Sequence, residues 1–149
     1  IIPIDNIDTD MIYHNRYLAI TDINQMGQYA FEDLEGWQDF AQKAQPGDII
    51  ITGENFGCGS SRQQAVDCFK SLGVQLIIAK SFGAIYERNA INNALPILKM
   101  DLLHAGLKDG DKIMVDLKTG AVRLETGEIC KAHPFSDVQM RIYQRGGLL

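Results

Sequence analysis

The order of apolar segments predicts an α/β chain, a parallel βαβ core followed by an antiparallel β-hairpin. Two observations carry the core. The apolar runs Ile49-Ile50-Ile51 and Val74-Gln75-Leu76-Ile77-Ile78-Ala79 flank a segment whose Ala65, Val66, Phe69 and Leu72 recur at helical spacing. Strands that are apolar throughout are buried on both faces, and strand, helix, strand at this length implies a parallel crossover. A third observation carries the addition. Asp111 to Asp116 and Ala121 to Leu124 flank Lys118-Thr119-Gly120, the pattern of a hairpin.

Taken in order, residues 1–20 read as extended and then loop-like, with turn formers in Asp5-Asn6 and Asp8-Thr9-Asp10. From Asp22 to Phe40 the chain leans to helix, offering Met26, Tyr29, Ala30, Phe31 and Leu34 as an apolar face until Gly36 interrupts it. Pro46-Gly47-Asp48 is a turn into the first strand. The glycine-rich loop from Gly53 to Arg62 then enters a helix starting near Ser61, and Gly73 is placed to end that helix in a left-handed cap. A second helix is expected from Phe82 to Asn93, capped by Ser81, with Ile85, Ala90, Ile91 and Ala94 inward. Pro96-Ile97-Leu98 would add a strand. A short final strand and a helix from Ser136 to Arg145 complete what reads as a single domain over residues 1–149.

Composition narrows the function. With 149 residues, 46% of them hydrophobic, the chain can bury a core without disulfides or a structural metal. A net charge of −5 with no basic run argues against nucleic acid and against an anionic membrane surface. No stretch approaches 18 apolar residues, so no membrane span is expected, nor a signal peptide. The opening Ile1-Ile2-Pro3, without a methionine, leads us to expect native residues ahead of it. Cys58, Cys68 and Cys130 are too few for a disulfide framework and lack ferredoxin-type spacing, which favours a reducing compartment such as the cytoplasm. His14, His104 and His133 share no metal-ligand spacing, so no metal is expected on this chain.

The chemistry concentrates in Gly57-Cys58-Gly59-Ser60-Ser61-Arg62. Glycines permit positive φ and close backbone approach to a ligand, and a helix start offers unpaired N–H groups. Arg62 adds a planar fork suited to a carboxylate. Its charge opposes the helix dipole, which hints that an anion lies between them. Cys58 reads as a small loop residue, since no histidine base lies near it in sequence. Rival motifs fit poorly. There is no Gly-x-x-x-x-Gly-Lys-Ser/Thr, no glycine after Ser61 to make a nucleophile elbow on Ser60, and Arg62 stands where a dinucleotide fingerprint needs glycine. A Ser60 or Ser61 that merely caps the helix is the plainer reading of the same loop.

The run from Gly53 to Arg62, with Ala79-Lys80-Ser81-Phe82 and Ile85, resembles the small subunit of isopropylmalate isomerases and the swivelling C-terminal domain of aconitases. Asp5-Asn6-Ile7-Asp8-Thr9-Asp10, Asn15-Arg16-Tyr17-Leu18 and the run from Asn89 to Pro96 match in the same order, so the resemblance covers most of residues 3–100. It implies a swivelling β/β/α domain of a hydro-lyase of leucine biosynthesis, closing over a 4Fe-4S cluster held by an aconitase-like large subunit, with no cofactor on this chain. It implies Ser60 as the catalytic base, and Arg62, Ser61, Asp10 and Arg16 as contacts to a small dicarboxylate. Self-association of the small subunit is a further expectation. Members that accept longer tricarboxylates can carry an arginine after the Tyr-Leu pair. Here Leu18 is followed by Ala19 and Ile20, which favours an alkyl-substituted malate, isopropylmalate first. Homoaconitase, aconitase and methylated-malate dehydratase subunits stand as alternatives, as does a non-catalytic anion-binding module. One departure is Gln63-Gln64, where many members have Glu-His.

Overall fold

The computed structural model describes residues 1–60, 62–132 and 144. Apart from that last residue, the helix expected from Ser136 to Arg145 lies outside them, as do Ser61 and His133. The core is the expected crossover. Strand β1 (Ile49–Thr52), helix α4 (Gln64–Leu72), strand β2 (Leu76–Ala79), helix α5 (Ala84–Asn92) and strand β3 (Ile97–Lys99) follow one another, and the strands pair in parallel in the order β1-β2-β3. Ile50 pairs with Ile77 and Ile77 with Ile97, while Ile51, Ile78 and Leu98 form the next row.

These two rows explain why the strands are apolar throughout. Successive side chains point to opposite faces. Ile50, Ile77 and Ile97 join the core under α4 and α5, with Ala65, Val66, Phe69, Ala90 and Ile91. Ile51, Ile78 and Leu98 join a second core with Val122 and Leu124 of an antiparallel sheet. That sheet is a three-strand meander of β4 (Ile113–Asp116), β5 (Ala121–Leu124) and β6 (Ile129–Lys131), so the hairpin is joined by the expected final strand. The layers are antiparallel sheet, parallel sheet, helices: a β/β/α sandwich. None of the described helices is long and apolar enough to cross a membrane.

Helix ends show where local signals prevailed and where they did not. Gly73 closes α4 at φ 78°, its N–H reaching back to the Phe69 and Lys70 carbonyls. A Cβ there would press within 2.9 Å of the Pro46 backbone, so the turn into β1 also requires the glycine. At the other end α4 starts at Gln64, later than expected, and Arg62 lies ahead of it, not in its first turn. Ser81 does not cap α5, whose cap position is Gly83; its hydroxyl instead accepts the Asn55 N–H at 2.7 Å. Ile85 points outward and Tyr86 takes the buried place, its hydroxyl donating to the Ala65 carbonyl at 2.8 Å.

The stretch from Asp22 to Phe40 is not one helix. It divides into α2 (Ile23–Met26), a 3-10 turn (Gly27–Tyr29) and turns leading to α3 (Phe40–Lys43). Phe31 is the reason. It adopts φ 58°, gives its N–H to the Ile12 carbonyl at 2.9 Å, and buries its ring against Phe40, Phe56 and Phe69. Burial of that ring outweighs the cost of a left-handed backbone. The apolar residues predicted for this stretch still face the core: Met26, Ala30, Phe31 and Leu34 are all buried.

Phe69 joins these layers, packing its ring at 5.2 Å from Phe31, 6.2 Å from Phe40 and 6.3 Å from Phe56. Phe69→Ala is expected to lower unfolding stability by about 3–5 kcal/mol, the cost of a large core cavity. Urea denaturation of the isolated chain followed by circular dichroism measures it, and a loss below about 1 kcal/mol would contradict this packing.

Candidate active site

Past the carboxyl end of β1 the chain runs between two other segments as an irregular continuation of the sheet. The Gly57 N–H donates to the Ile7 carbonyl at 2.7 Å, and the Thr9 N–H donates to the Cys58 carbonyl at 2.9 Å. On the other side the Phe56 N–H donates to the Ser81 carbonyl at 3.0 Å, and the Gly83 N–H returns to Phe56 at 2.9 Å. Gly57 (φ 79°) is pressed onto Tyr86, where a Cβ would fall on the ring. Gly59 (φ 100°) lies against Thr9. The loop is therefore rigidly placed at the carboxyl ends of parallel strands, where open α/β sheets put their ligand sites.

Ser60 leaves this loop exposed to solvent. Two positions on, Arg62 turns inward, its side chain only 6% exposed. Its Nη1 donates to Asp10 Oδ1 at 2.6 Å and to the Tyr13 carbonyl at 2.8 Å, and its Nη2 donates to Asn15 Oδ1 at 2.8 Å. Within this chain the carboxylate beside Arg62 is that of Asp10. That aspartate sits in the first turn of helix α1 (Thr9–Ile12), and its side chain is 53% exposed. The pair is asymmetric: a buried cation covered by an accessible carboxylate.

Of the sequence-predicted residues, the structure brings Ser60, Arg62 and Asp10 to one edge of the domain. Arg16 follows Asn15, which bonds Arg62, and its own guanidinium pairs with other groups. It is exposed, with Nη2 at 2.9 Å from Asp33 and 3.3 Å from Glu32, and its guanidinium lies 5.0 Å from the Tyr17 ring centre. Leu18 and Ala19 are exposed, whereas Ile20 is half-buried against the helical core. Three contacts were not legible from sequence. Asn15 and the Tyr13 carbonyl hold Arg62, and Gln64 Nε2 donates to the Leu18 carbonyl at 3.4 Å. Asn15 falls within the matched Asn15-Arg16-Tyr17-Leu18, but its bond to Arg62, like that of the Tyr13 carbonyl, is found by spatial contact alone.

The remaining reactive groups are quiet. The Cys58 thiol is pushed above its ordinary value, by burial first and by the nearby Asp8 charge second, which disfavours the thiolate. Cys68 is fully buried, and burial pushes it further up. His14 serves the local backbone, Nδ1 accepting the Arg16 N–H at 3.0 Å. Among the described residues no three of His, Cys, Asp and Glu come together as a metal site.

Comparison with known proteins agrees with this fold. Residues 3–102 match the family model described as the aconitase C-terminal domain. The 3-isopropylmalate dehydratase small subunit of Caldicellulosiruptor bescii is 44% identical over 97% of this chain and 87% of its own length. The isopropylmalate/citramalate isomerase small subunit of Methanocaldococcus jannaschii is 40% identical, and the methanogen homoaconitase small subunit of Methanothermobacter thermautotrophicus 41%, each over 97% of this chain and 86% and 83% of their own lengths. The crystal structure of the Methanocaldococcus jannaschii 3-isopropylmalate dehydratase (leuD) superposes with a TM-score of 0.88 at 36% identity, covering 97% of this chain and 84% of that one. The β/β/α sandwich, the loop at the end of β1 and these likenesses together place the chain in the aconitase C-terminal domain family, among the small subunits of the 3-isopropylmalate dehydratase group.

Proposed function

We propose that this chain is the small subunit of a hydro-lyase of leucine biosynthesis that interconverts 2-isopropylmalate and 3-isopropylmalate, and that it works in a cytoplasmic complex with an aconitase-like large chain. The observation that carries this reading is the rigid loop, which presents Ser60 to solvent two positions from a buried arginine, in a chain 44% identical to such a small subunit. The Lewis acid for the substrate hydroxyl would be a 4Fe-4S cluster on the large chain, since the described residues here offer no ligand set for one.

Within this reading the domain supplies a base and an anion grip. Ser60, as its alkoxide, takes the proton beside a substrate carboxylate, while the departing hydroxyl takes a proton from an acid group of the large chain and leaves as water. The double bond of the resulting alkene diacid then accepts water at the neighbouring carbon, with Ser60 returning the proton. A serine hydroxyl is a weak base, so the step requires positive charge fixed in advance near the developing carbanion. Arg62 is that fixed charge. A substrate carboxylate reaches it by sharing or replacing the half-exposed Asp10 carboxylate, while Tyr13 and Asn15 keep their bonds. Ser61 stands between the two residues in sequence and is assigned to substrate binding with them.

Substrate choice is assigned to the segment after Tyr17. Leu18 and Ala19 face solvent and would meet an alkyl group, with the half-buried Ile20 beside them packed against the core. Burying an isopropyl group there gains about 0.8 kcal/mol per carbon, whereas a distal carboxylate would lose water and find no cation. The 41% identity to a homoaconitase small subunit favours homoaconitate as the second reading.

The pure chain is expected to be silent and to turn over isopropylmalate only when combined with the large chain; turnover by the metal-free chain alone refutes the two-chain assignment. In the assembled enzyme Ser60→Ala should lower kcat by roughly a thousandfold with folding intact, the usual scale for a lost proton-transfer group. Arg62→Lys should raise KM by about tenfold, because a point charge does not reproduce the planar fork. Near-normal kinetics in both variants would remove these residues from the site. Ala19→Arg should move the kcat/KM ratio of isopropylmalate to homoaconitate by about tenfold or more toward homoaconitate. If the unmodified enzyme already prefers homoaconitate, the loop assignment is wrong.

A further inference from the structure

Arg62 and Gln64 lie two positions apart at the entry to α4, and both reach the same short 3-10 turn, Asn15–Tyr17. Arg62 Nη2 donates to Asn15 Oδ1 at 2.8 Å, and Gln64 Nε2 donates to the carbonyl of Leu18, the next residue, at 3.4 Å. Within the turn the Leu18 N–H returns to the Asn15 carbonyl at 3.1 Å. Asn15 therefore stands at a junction: its side chain holds the buried guanidinium, and its backbone holds the first residue of the Leu18-Ala19-Ile20 segment.

The turn is braced from its other side. His14 Nδ1 accepts the Arg16 N–H at 3.0 Å. Arg16 is pinned by Asp33 at 2.9 Å and Glu32 at 3.3 Å. The Tyr17 hydroxyl donates to Glu32 Oε1 at 2.6 Å, and the Tyr17 ring stacks on Tyr29 with centres 3.9 Å apart. Beneath it the buried Tyr13 hydroxyl donates to the Tyr17 carbonyl at 3.0 Å, and burial pushes that phenol up to about 12, so it stays a donor. A turn fixed at so many points makes Asn15 a rigid acceptor.

We propose that Asn15 is a positioning residue for Arg62, fixing the plane of the guanidinium with a neutral acceptor and tying it to the substrate-facing Leu18-Ala19 segment. Neutrality matters because Arg62 already faces one carboxylate, Asp10, at 2.6 Å. A second negative group would cancel the positive charge that a substrate carboxylate must find. An amide carbonyl holds the same N–H without opposing the substrate. Asn15 itself is exposed and takes no part in the core, so its replacement disturbs little else. The inference rests on the assignment of Arg62 to substrate binding, and goes beyond it by naming what orients that arginine.

The test has one arm independent of that assignment. In the isolated chain, 15N NMR of the Arg62 guanidinium should show separate, slowly exchanging Nη–H signals that merge in Asn15→Ala. The second arm uses the assembled two-chain enzyme and 2-isopropylmalate. Asn15→Ala should raise KM by roughly tenfold at nearly constant kcat, the scale of one charge-assisted hydrogen bond. Asn15→Asp keeps the acceptor and adds a charge, so its KM should also rise, and that rise should shrink as ionic strength increases, whereas the alanine effect should not. Unmerged guanidinium signals, or an unchanged KM in Asn15→Ala where Arg62→Lys raises it, would overturn the proposal. So would a fall in kcat and melting temperature at constant KM, which marks a purely structural residue. If the NMR signals merge but neither Arg62→Lys nor Asn15→Ala alters KM, the substrate role of Arg62 is what fails.

Discussion

A buried guanidinium organises the functional edge of this domain. Arg62 leaves a glycine-rich loop and turns inward, and a charge at 6% exposure is tolerable only with acceptors around it. Those acceptors, Asp10, the Tyr13 carbonyl and Asn15, all come from one stretch of the N-terminal segment. Satisfying Arg62 thus folds residues 8–15 across the entry to α4. The loop bonds from Ile7 to Gly57 and from Thr9 to Cys58 close the same seam from the backbone side. Ser60 is placed as a consequence, held between a fixed loop and a fixed arginine.

The two-core architecture provides the stiffness this arrangement needs. The parallel sheet is packed on one face by α4 and α5 and on the other by the antiparallel meander, so its strand ends do not fray toward solvent. Tyr86 carries that rigidity to the site. Its ring sits against Gly57 and its hydroxyl bonds the Ala65 carbonyl, which locks the loop to both helices. The meander presents Met114 and Ile129 outward, 69% and 56% exposed, on the face away from the shared core.

The Gln63-Gln64 pair is used structurally. Gln63 bonds Asp67 within α4 and accepts from Asn93 at the end of α5, while Gln64 reaches the Leu18 carbonyl. Both amides therefore staple neighbouring segments to the start of α4, with no net charge added beside Arg62. That fits the asymmetry of the site, in which one accessible carboxylate covers one buried cation.

The sequence by itself determined the layers of this protein. Continuous apolar strands, the 3.6-residue rhythm of Ala65, Val66, Phe69 and Leu72, and Gly73 at a helix end are local or periodic signals, and each appears in the structure where the residues place it. Motif resemblance singled out Ser60, Arg62 and Asp10 as well, and the structure brings them to one edge. Only the tertiary structure decided the rest. Phe31 breaks the expected helix because its ring is worth more in the core than its backbone costs at φ 58°. Ser81 abandons a cap for Asn55, and Ile20 is half-buried against the core beside the exposed Leu18 and Ala19. Asn15 meets Arg62 across 47 positions of chain. Contacts of that kind depend on where distant segments cross, and neither residue type nor spacing records the crossing.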